Sequence, residues 1–317
     1  MNRVSFPYFN SKILLFGEYS LMVGSKALSM PSDKFQGGLK FAEADTLQGE
    51  QIQSNHELKK YALALKTMQD NNLLDVQFDF GKLFNDLDSG LFFNSNIPQG
   101  YGLGSSGALV AAIYNEYGLD IKRRTEQFSD NEISALKSSF SKMESFFHGK
   151  SSGLDPLICF LQKPILVTDT NNVATVDIPE SKKESDTVLF LLDTNISGET
   201  QPLVNYFIKQ NSKKQYLNKI TNELIPLNDM CIRAFLDADI ATLSQGMKQL
   251  SAFTLNNFAP MVPEKIKPIW KGGLYNNDYS LKLCGSGGGG MMLGFTTDFK
   301  KTQSQISDFK LEMVYRF

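Results

Sequence analysis

The sequence predicts an α+β protein built from two domains. Its 317 residues suffice for two domains at about 100–200 residues each. Strand-like and helix-like segments are mixed without the regular βα alternation of a doubly wound sheet, which favours α+β over α/β. Residues 179–186 are polar and rich in lysine. We therefore expect a domain boundary there and assign the domains to residues 1–184 and 185–317.

Short apolar runs predict the strands. They lie at residues 13–16, 76–80, 91–97, 188–193, 281–284 and 291–295, with a hairpin formed by 165–168 and 173–178. Residues 76–80 alternate apolar and polar side chains. Pro98 ends the strand predicted at residues 91–97. A helix and a last short strand are expected to complete the chain.

Three segments predict helices with identifiable ends. Residues 106–116 are rich in alanine and aliphatic side chains. Apolar residues between 133 and 147 recur in steps of three and four, and Gly149 is expected to end that helix. Asp155 and Pro156 precede an apolar run, which predicts a helix with Asp155 as its N-cap and Pro156 in its first turn. Two or three more helices are expected before Phe258.

Composition narrows the class of protein. The net charge of −2 gives no general attraction to nucleic acid or to an anionic membrane. Two histidines and three widely spaced cysteines argue against a histidine-rich metal site, a zinc site or a disulfide framework and fit a reducing cytoplasm. The N-terminal segment lacks a signal-peptide pattern, and the apolar runs are shorter than the roughly 20 residues of a membrane span. We therefore expect a cytoplasmic protein.

The sequence IPQGYGLGSSGALVAA at residues 97–112 is the first chemical motif. Its glycines let the backbone approach a ligand, and two serines open a helix whose positive end can bind phosphate. No GK[ST] follows, so it is not a Walker A loop. The GxGxxG match is rejected as a dinucleotide site because Pro98 breaks the preceding strand and no strand ending in an acidic residue follows. A simple glycine-rich turn remains the alternative.

The sequence MESFFHGKSSGLDP at residues 143–156 is the second motif. Glu144 lies at the edge of an apolar helix stripe, where a carboxylate needs a partner. It is either a Mg²⁺ ligand or a member of a salt bridge. Asp155 is either a functional carboxylate or only a helix N-cap. For His148, capping or packing of its helix is favoured over a catalytic role.

Two further segments complete the pattern. Lys12 enters a strand and Glu18 follows a glycine; taken alone, these residues are a solvated strand end and a turn residue. Four consecutive glycines lie between apolar strands in KLCGSGGGGMMLGF at residues 282–295. This number exceeds the needs of a hairpin turn and indicates close backbone approach to a ligand or to another loop.

Together, in this order, these segments resemble the GHMP kinases along nearly the whole chain. PQGYGLGSSGALV looks like the family's PxGxGLGSS phosphate loop, and KLCGSGGGG looks like its C-terminal glycine loop. KILLFGEYSLMVGSKAL and MESFFHGKSSGLDP are most similar to the patterns of the mevalonate kinases. The resemblance implies a two-domain fold with the active site in the cleft between the domains.

The resemblance also implies roles for individual residues. Asp155 would accept the substrate hydroxyl proton, with Lys12 beside it. Glu144 and Ser106 would bind Mg²⁺ on ATP. The substrate side would include Glu18, Tyr19, Ser152 and Gly287. The residues expected to hold the ATP phosphates are Pro98, Gly100, Gly102, Leu103, Gly104, Ser105, Ser106 and Gly107.

Substrate identity stays open at this point. The resemblance favours phosphorylation of (R)-mevalonate, but the histidine that follows Gly-Glu in mevalonate kinases is Tyr19 here. Phosphomevalonate, homoserine or a sugar are the alternative acceptors. An ATP-using decarboxylase and a non-catalytic ligand sensor on the same fold are disfavoured because Lys12, Glu144 and Asp155 are all present. The sequence does not decide whether the protein is a homodimer.

Overall fold

Most of the predicted elements form in the computed structural model, which describes residues 5–43, 46–169 and 172–317. The chain divides into two units, each assembled from several segments. Unit 1 contains the described residues up to Lys12, together with Pro31–Pro98 and Gly104–Lys163. Unit 2 contains Ile13–Met30, Gln99–Leu103 and Pro164–Phe317. The boundary expected between residues 184 and 185 stays a prediction.

Unit 1 is mainly helical. Strand β3 (Leu91–Ser95) pairs antiparallel with the second half of strand β2 (Ala27–Phe41), from Gly37 opposite Ser95 to Phe41 opposite Leu91. The elements that contribute residues to unit 1 are β1 (Tyr8–Phe16), β2 (Ala27–Phe41), α1 (Glu50–Asp70), α2 (Phe80–Asp88), β3 (Leu91–Ser95), α3 (Ser105–Tyr117), α4 (Asp130–His148) and α5 (Leu154–Leu161). The division between the units falls within β1 and β2.

The core of unit 1 lies between α3, α4 and α5. Helix α5 is buried on all sides apart from Asp155, which marks it as a central core helix. Rings of Tyr114, Phe140 and Phe160 meet there at centroid distances of 4.9 to 5.7 Å. Helix α4 begins with a capping box between Ser129 and Glu132. The two helices that carry the second motif are therefore rigidly placed.

Unit 2 contains a four-stranded antiparallel sheet in the order β7 (Tyr279–Leu283), β8 (Met291–Thr296), β6 (Val188–Asp193) and β9 (Leu311–Arg316). A second strand group pairs Ala27–Ser29 of β2 with β4 (Ile165–Val167), and β4 with β5 (Val173–Thr175). The elements of unit 2, in chain order, are β4 (Ile165–Val167), β5 (Val173–Thr175), β6 (Val188–Asp193), α6 (Thr200–Asn211), α7 (Lys214–Lys219), a π-helical turn (Ile220–Leu224), α8 (Ile225–Leu236), α9 (Ile240–Asn257), α10 (Lys267–Asn276), β7 (Tyr279–Leu283), β8 (Met291–Thr296), α11 (Phe299–Gln305) and β9 (Leu311–Arg316).

The sheet of unit 2 has a buried centre. Five of the six residues of β6 and all residues of β7 and β8 are buried. Such strands read as continuous apolar runs because both faces are covered. One exception in β7 is Lys282, which is 2% exposed. A buried ammonium group needs a partner, and Lys282 pairs with Glu18.

Three predictions about elements are wrong. Residues 76–80 do not form a strand: only Phe78 makes a bridge, to Gly118, and Asp79 caps α2 instead. Asp155 is not an N-cap, because α5 begins after Gly153 and holds Asp155 in its first turn. The fully described stretch between β6 and Phe258 has four α-helices, one more than the upper expectation. The hairpin residues 170 and 171 lie outside the described residues.

Among the described residues, no helix combines the length and the apolar character that a membrane span requires.

Candidate active site

An ion pair between a buried lysine and a partly exposed aspartate forms the centre of the site in unit 1. Lys12 Nζ lies 3.1 Å from Asp155 Oδ1, and the two side chains are 7% and 35% exposed. Lys12 is held by strand β1, and Asp155 by the first turn of α5. The lysine is therefore not a solvated strand end. The ammonium group is shielded, while the carboxylate keeps an accessible side for a ligand.

Glycines allow helix α3 to approach this pair. A Cβ atom on Gly104, whose φ is +78°, would lie 2.9 Å from Lys12 Cγ. A Cβ atom on Gly107 would lie 2.8 Å from the carbonyl carbon of Asp155. Gly104 is the N-cap of α3, and no side chain caps that helix end. The positive end of α3 thus lies beside Lys12 and Asp155, where it favours an anion.

Glu144 is the second carboxylate of unit 1 and is 4% exposed. Its Oε1 accepts a hydrogen bond from Ser106 Oγ at 2.9 Å, and its Oε2 accepts one from Ser151 Oγ at 2.5 Å. Desolvation by burial, followed by the negative charge of Asp155, raises the pKa of Glu144 to about 7. The two serine hydroxyls and Lys12 oppose that shift. None of the ion pairs between described residues includes Glu144, so the salt-bridge alternative is not realised there.

The donor set around Glu144 fits a magnesium ion that arrives with a nucleotide. Mg²⁺ is commonly held by one or two carboxylates together with substrate phosphates and waters. Glu144 and Ser106 supply one carboxylate and one hydroxyl, whose oxygens lie 2.9 Å apart. Within the described ranges, no group of three or more His, Cys, Asp or Glu residues could hold a metal alone. Most of the ligands of such an ion would therefore come from phosphate and water.

A second buried ion pair organises unit 2. Lys282 Nζ lies 2.5 Å from Glu18 Oε1, with side-chain exposures of 3% and 7%. Lys282 also donates to the carbonyl of Leu283 at 2.7 Å. Glu18 is therefore a buried ion-pair partner rather than a simple turn residue. The pair joins the segment after β1 to the strand that leads into the glycine loop.

Tyr19 follows Glu18 and contacts the same loop. Its backbone has φ +61°, an uncommon conformation outside glycine. Its hydroxyl donates to the carbonyl of Ser286 at 2.6 Å, and its ring packs on Phe207 and Phe258 at centroid distances of 4.8 and 5.4 Å. Burial, followed by the nearby Tyr216 and Glu18, raises the pKa of Tyr19. The phenol is therefore neutral at physiological pH and can still accept a hydrogen bond.

The glycine loop of unit 2 needs glycine for conformational and steric reasons. Gly285 and the four residues from Gly287 to Gly290 all have positive φ. A Cβ atom on Gly287 would lie 2.5 Å from the carbonyl oxygen of Met261. A Cβ atom on Gly102 would lie 2.5 Å from the carbonyl oxygen of Cys284. The expected close approach to another loop is therefore found, and the other loop is the segment 99–103.

The predicted site residues fall into two groups. Those in unit 1 are Lys12, Pro98, Gly104, Ser105, Ser106, Gly107, Glu144, Ser152 and Asp155. Those in unit 2 are Glu18, Tyr19, Gly100, Gly102, Leu103 and Gly287. Within unit 1, Lys12, Asp155, Glu144 and Ser106 are brought together as expected, and Ser152 Oγ accepts from the backbone N–H of Leu154. The roles of these residues remain predictions.

Two residues of the site were not identified from the sequence. Ser151 binds Glu144 but precedes a second serine, and no pattern separates the two. Lys282 offered a clearer signal, because a lysine inside an apolar strand must find a charged or polar partner. Its partner, Glu18, is distant in sequence and could not be named.

The comparisons with known proteins agree on one fold. Residues 62–163 match the model described as GHMP kinases N terminal domain. The chain is similar to L. major mevalonate kinase in complex with R-mevalonate, with TM-score 0.64 and 17% identity over 99% of this chain and 97% of that chain. The chain has the GHMP kinase fold. The predicted resemblance and the predicted α+β fold class are therefore confirmed.

Other proteins with the GHMP kinase fold are also similar. Streptococcus pneumoniae phosphomevalonate kinase in complex with phosphomevalonate and AMPPNP has TM-score 0.60 and 14% identity, over 98% of this chain and 100% of that chain. Lactococcus lactis galactokinase complexed with galactose has TM-score 0.64 and 12% identity, over 98% and 92%. A comparison with curated proteins finds no significant match. Several acceptors are thus represented among these similar structures.

Proposed function

We propose that this protein is an ATP-dependent phosphotransferase that phosphorylates the primary hydroxyl of (R)-mevalonate, giving 5-phosphomevalonate and ADP. The observation that carries the proposal is the Lys12–Asp155 pair, in which the lysine is buried and the aspartate is accessible, packed against Gly104 at the start of α3. The mevalonate kinase structures among the similar folds support the choice of acceptor. The similar phosphomevalonate kinase, solved with AMPPNP, supports ATP as the donor.

The Lys12–Asp155 pair supplies the two functions that an alcohol acceptor requires. Asp155 accepts the hydroxyl proton as the acceptor oxygen bonds to the γ-phosphorus and the bond from that phosphorus to the ADP oxygen breaks. Lys12, 3.1 Å from the same carboxylate, stabilises the negative charge that develops on the acceptor oxygen and the phosphoryl group. The exposed side of Asp155 is the face on which the acceptor hydroxyl would bind.

Glu144 and Ser106 are the residues that would hold Mg²⁺. When bound, the ion neutralises charge on the ATP phosphates. Burial of Glu144 favours its protonated form, so a cation that replaces the proton also removes the cost of burying the carboxylate. This carboxylate is therefore adapted to a charged partner rather than to solvent.

The surroundings of Tyr19 hold the phenol in one position. Phe207 and Phe258, both buried, pack against the tyrosine ring. The Tyr19 hydroxyl donates to the backbone carbonyl of Ser286, and its oxygen retains acceptor capacity for a substrate hydroxyl. The Lys282 ammonium is already paired with Glu18. This arrangement favours mevalonate over phosphomevalonate, whose second anionic group needs additional positive charge.

A panel of acceptors tests the substrate. ADP release is measured with mevalonate, phosphomevalonate, homoserine and galactose, and mevalonate is expected to give the highest kcat/KM. A preference of tenfold or more for another member would refute mevalonate and leave the phosphotransferase proposal standing. Absence of ADP release with every acceptor, from protein that binds ATP, would count against the phosphotransferase itself.

Asp155→Asn tests the proposed chemistry. The variant is expected to lower kcat by roughly 10²–10⁴, the usual range for loss of a general base, with little change in ATP affinity. Asp130→Asn is the matched control, since Asp130 also lies in a helical first turn but is exposed and outside the site. Turnover by Asp155→Asn equal to that of Asp130→Asn would eliminate Asp155 as the proton acceptor.

A further inference from the structure

The carboxylate of Glu144 is fixed at both oxygens, and only one of the two donors belongs to the proposed metal site. Ser106 Oγ donates to Oε1, while Ser151 Oγ donates to Oε2. Ser151 is one residue before Ser152, which the resemblance places on the substrate side. Neither the resemblance nor the proposed function gives Ser151 a role.

Ser151 is itself held in place from two directions. Its Oγ accepts a hydrogen bond from the backbone N–H of Gly153 at 3.0 Å. Its carbonyl oxygen accepts one from Ser141 Oγ at 2.6 Å. Ser141 lies on α4, one turn before Glu144, and Gly153 is the N-cap of α5. The Ser151 hydroxyl is therefore a two-bond link between Glu144 and the start of the helix that carries Asp155.

The loop around Ser151 also packs tightly. Gly153 has φ +74°, and a Cβ atom there would lie 2.1 Å from the carbonyl oxygen of Lys137 and 2.7 Å from the backbone nitrogen of Ser141. The backbone of this loop therefore lies directly against α4. A serine placed on so constrained a loop presents its hydroxyl in a defined direction.

We propose that Ser151 is a positioning residue that orients the Glu144 carboxylate for a divalent cation bound with the nucleotide. This inference rests on the proposed function. A carboxylate has about four lone-pair positions, so the bonds from Ser106 and Ser151 leave acceptor capacity for a metal. Hydrogen bonds that orient metal-binding carboxylates typically contribute 10–100-fold to metal affinity or activity. Ser151 also couples the orientation of Glu144 to the position of Asp155, because the hydroxyl that donates to Glu144 accepts a hydrogen bond from the backbone N–H of Gly153 at the start of α5.

The test measures metal binding without turnover. A fluorescent AMPPNP analogue is bound to the protein, and the Mg²⁺ concentration at half-maximal tightening of the nucleotide is determined. Ser151→Ala is expected to raise this midpoint about tenfold or more, with little change in nucleotide affinity in EDTA. Ser151→Thr retains the hydroxyl and is expected to restore the midpoint. Ser145→Ala is the control: Ser145 follows Glu144 on α4 and donates to the carbonyl of Lys142, so the midpoint should not change.

Glu144→Gln separates failure of the inference from failure of the proposed metal site. If Glu144→Gln raises the midpoint and Ser151→Ala does not, the role of Ser151 is refuted while the metal site stands. If Glu144→Gln has no effect, the metal site is refuted and the inference with it. If Ser151→Ala lowers the melting temperature and Ser151→Thr restores that temperature but not the midpoint, Ser151 is only structural and the inference is overturned.

Discussion

The buried pair between Lys282 and Glu18 should contribute strongly to the stability of unit 2. The side chains are 3% and 7% exposed and 2.5 Å apart, so neither charge can be hydrated when its partner is lost. Lys282→Met keeps the aliphatic length and removes the ammonium group that faces the buried Glu18 carboxylate. Removal of one partner from such a pair costs about 3–5 kcal/mol. At roughly 2 °C or more per kcal/mol, the melting temperature should fall by roughly 6 °C or more.

The assay is thermal unfolding followed by circular dichroism at pH 7, with two comparisons. Lys59→Met is the control, because the Lys59–Asp88 pair is 42% and 75% exposed and a solvent-screened pair contributes only about 0–1 kcal/mol. The double variant of Lys282→Met with Glu18→Gln removes both charges and should be more stable than Lys282→Met alone. A Lys282→Met variant that melts within about 2 °C of Lys59→Met would refute a large contribution of the Lys282–Glu18 pair to stability.

Two further predictions concern unit 1. Burial and the charge of Asp155 raise the pKa of Glu144 from 4.5 to about 7, so between these pH values the folded protein holds a proton that the unfolded chain releases. In EDTA, the free energy of unfolding should therefore fall by up to roughly 3 kcal/mol as the pH rises from about 4.5 to 7. Urea unfolding across this range should show the slope in the parent and a flatter one in Glu144→Gln; equal slopes would contradict the assignment. Gly104→Ala should lower kcat at least about tenfold and cost about 1–3 kcal/mol in backbone strain, because the added Cβ meets Lys12. Gly24→Ala, with φ +88° and open space around it, should show the strain alone, and an equal loss of kcat in both variants would refute the steric explanation.

Elements with a strong local pattern were predictable from the sequence. Helix α4 has regular apolar spacing, and strand β6 is an apolar run bounded by polar residues. Strand β2 was not predicted, because its 15 residues include Pro31, Gly37 and Gly38, which weaken a strand pattern. Its pairing partners β3 and β4 lie far along the chain. Nonlocal pairing of this kind leaves no signal in a local window.

The incorrect prediction of a strand at residues 76–80 has a specific cause. The alternation of Val76, Phe78 and Phe80 with polar residues fits a strand, but Asp79 accepts a hydrogen bond from the Lys82 backbone and caps α2. Apolar residues from Phe80 onward then follow the helical spacing of that amphipathic helix. The helix-capping interaction prevailed over a short alternating pattern.

The spacing of the residues in the candidate site could be predicted from the sequence, but their side-chain contacts could not. The sequence shows the interval between Glu144 and Asp155 and the glycines around Ser106. The bond from Ser151 to Glu144 and the pair of Lys282 with Glu18 depend on how loops fold back on helices and strands. Those contacts join residues whose sequence neighbourhoods carry no common pattern, so only the folded structure identifies them.

The interleaving of segments has a consequence for how the chain folds during synthesis. All segments of unit 1 have emerged from the ribosome once Lys163 is free, whereas unit 2 must combine residues 13–30 and 99–103 with Pro164–Phe317. At about 5–20 residues per second, translation of that last stretch takes roughly 8–30 s. Throughout this interval the apolar residues Ile13, Leu15, Phe16 and Leu28, all fully buried in the finished protein, lack most of their partners. A nascent chain of this protein should therefore bind chaperones through these early segments until its second half is complete.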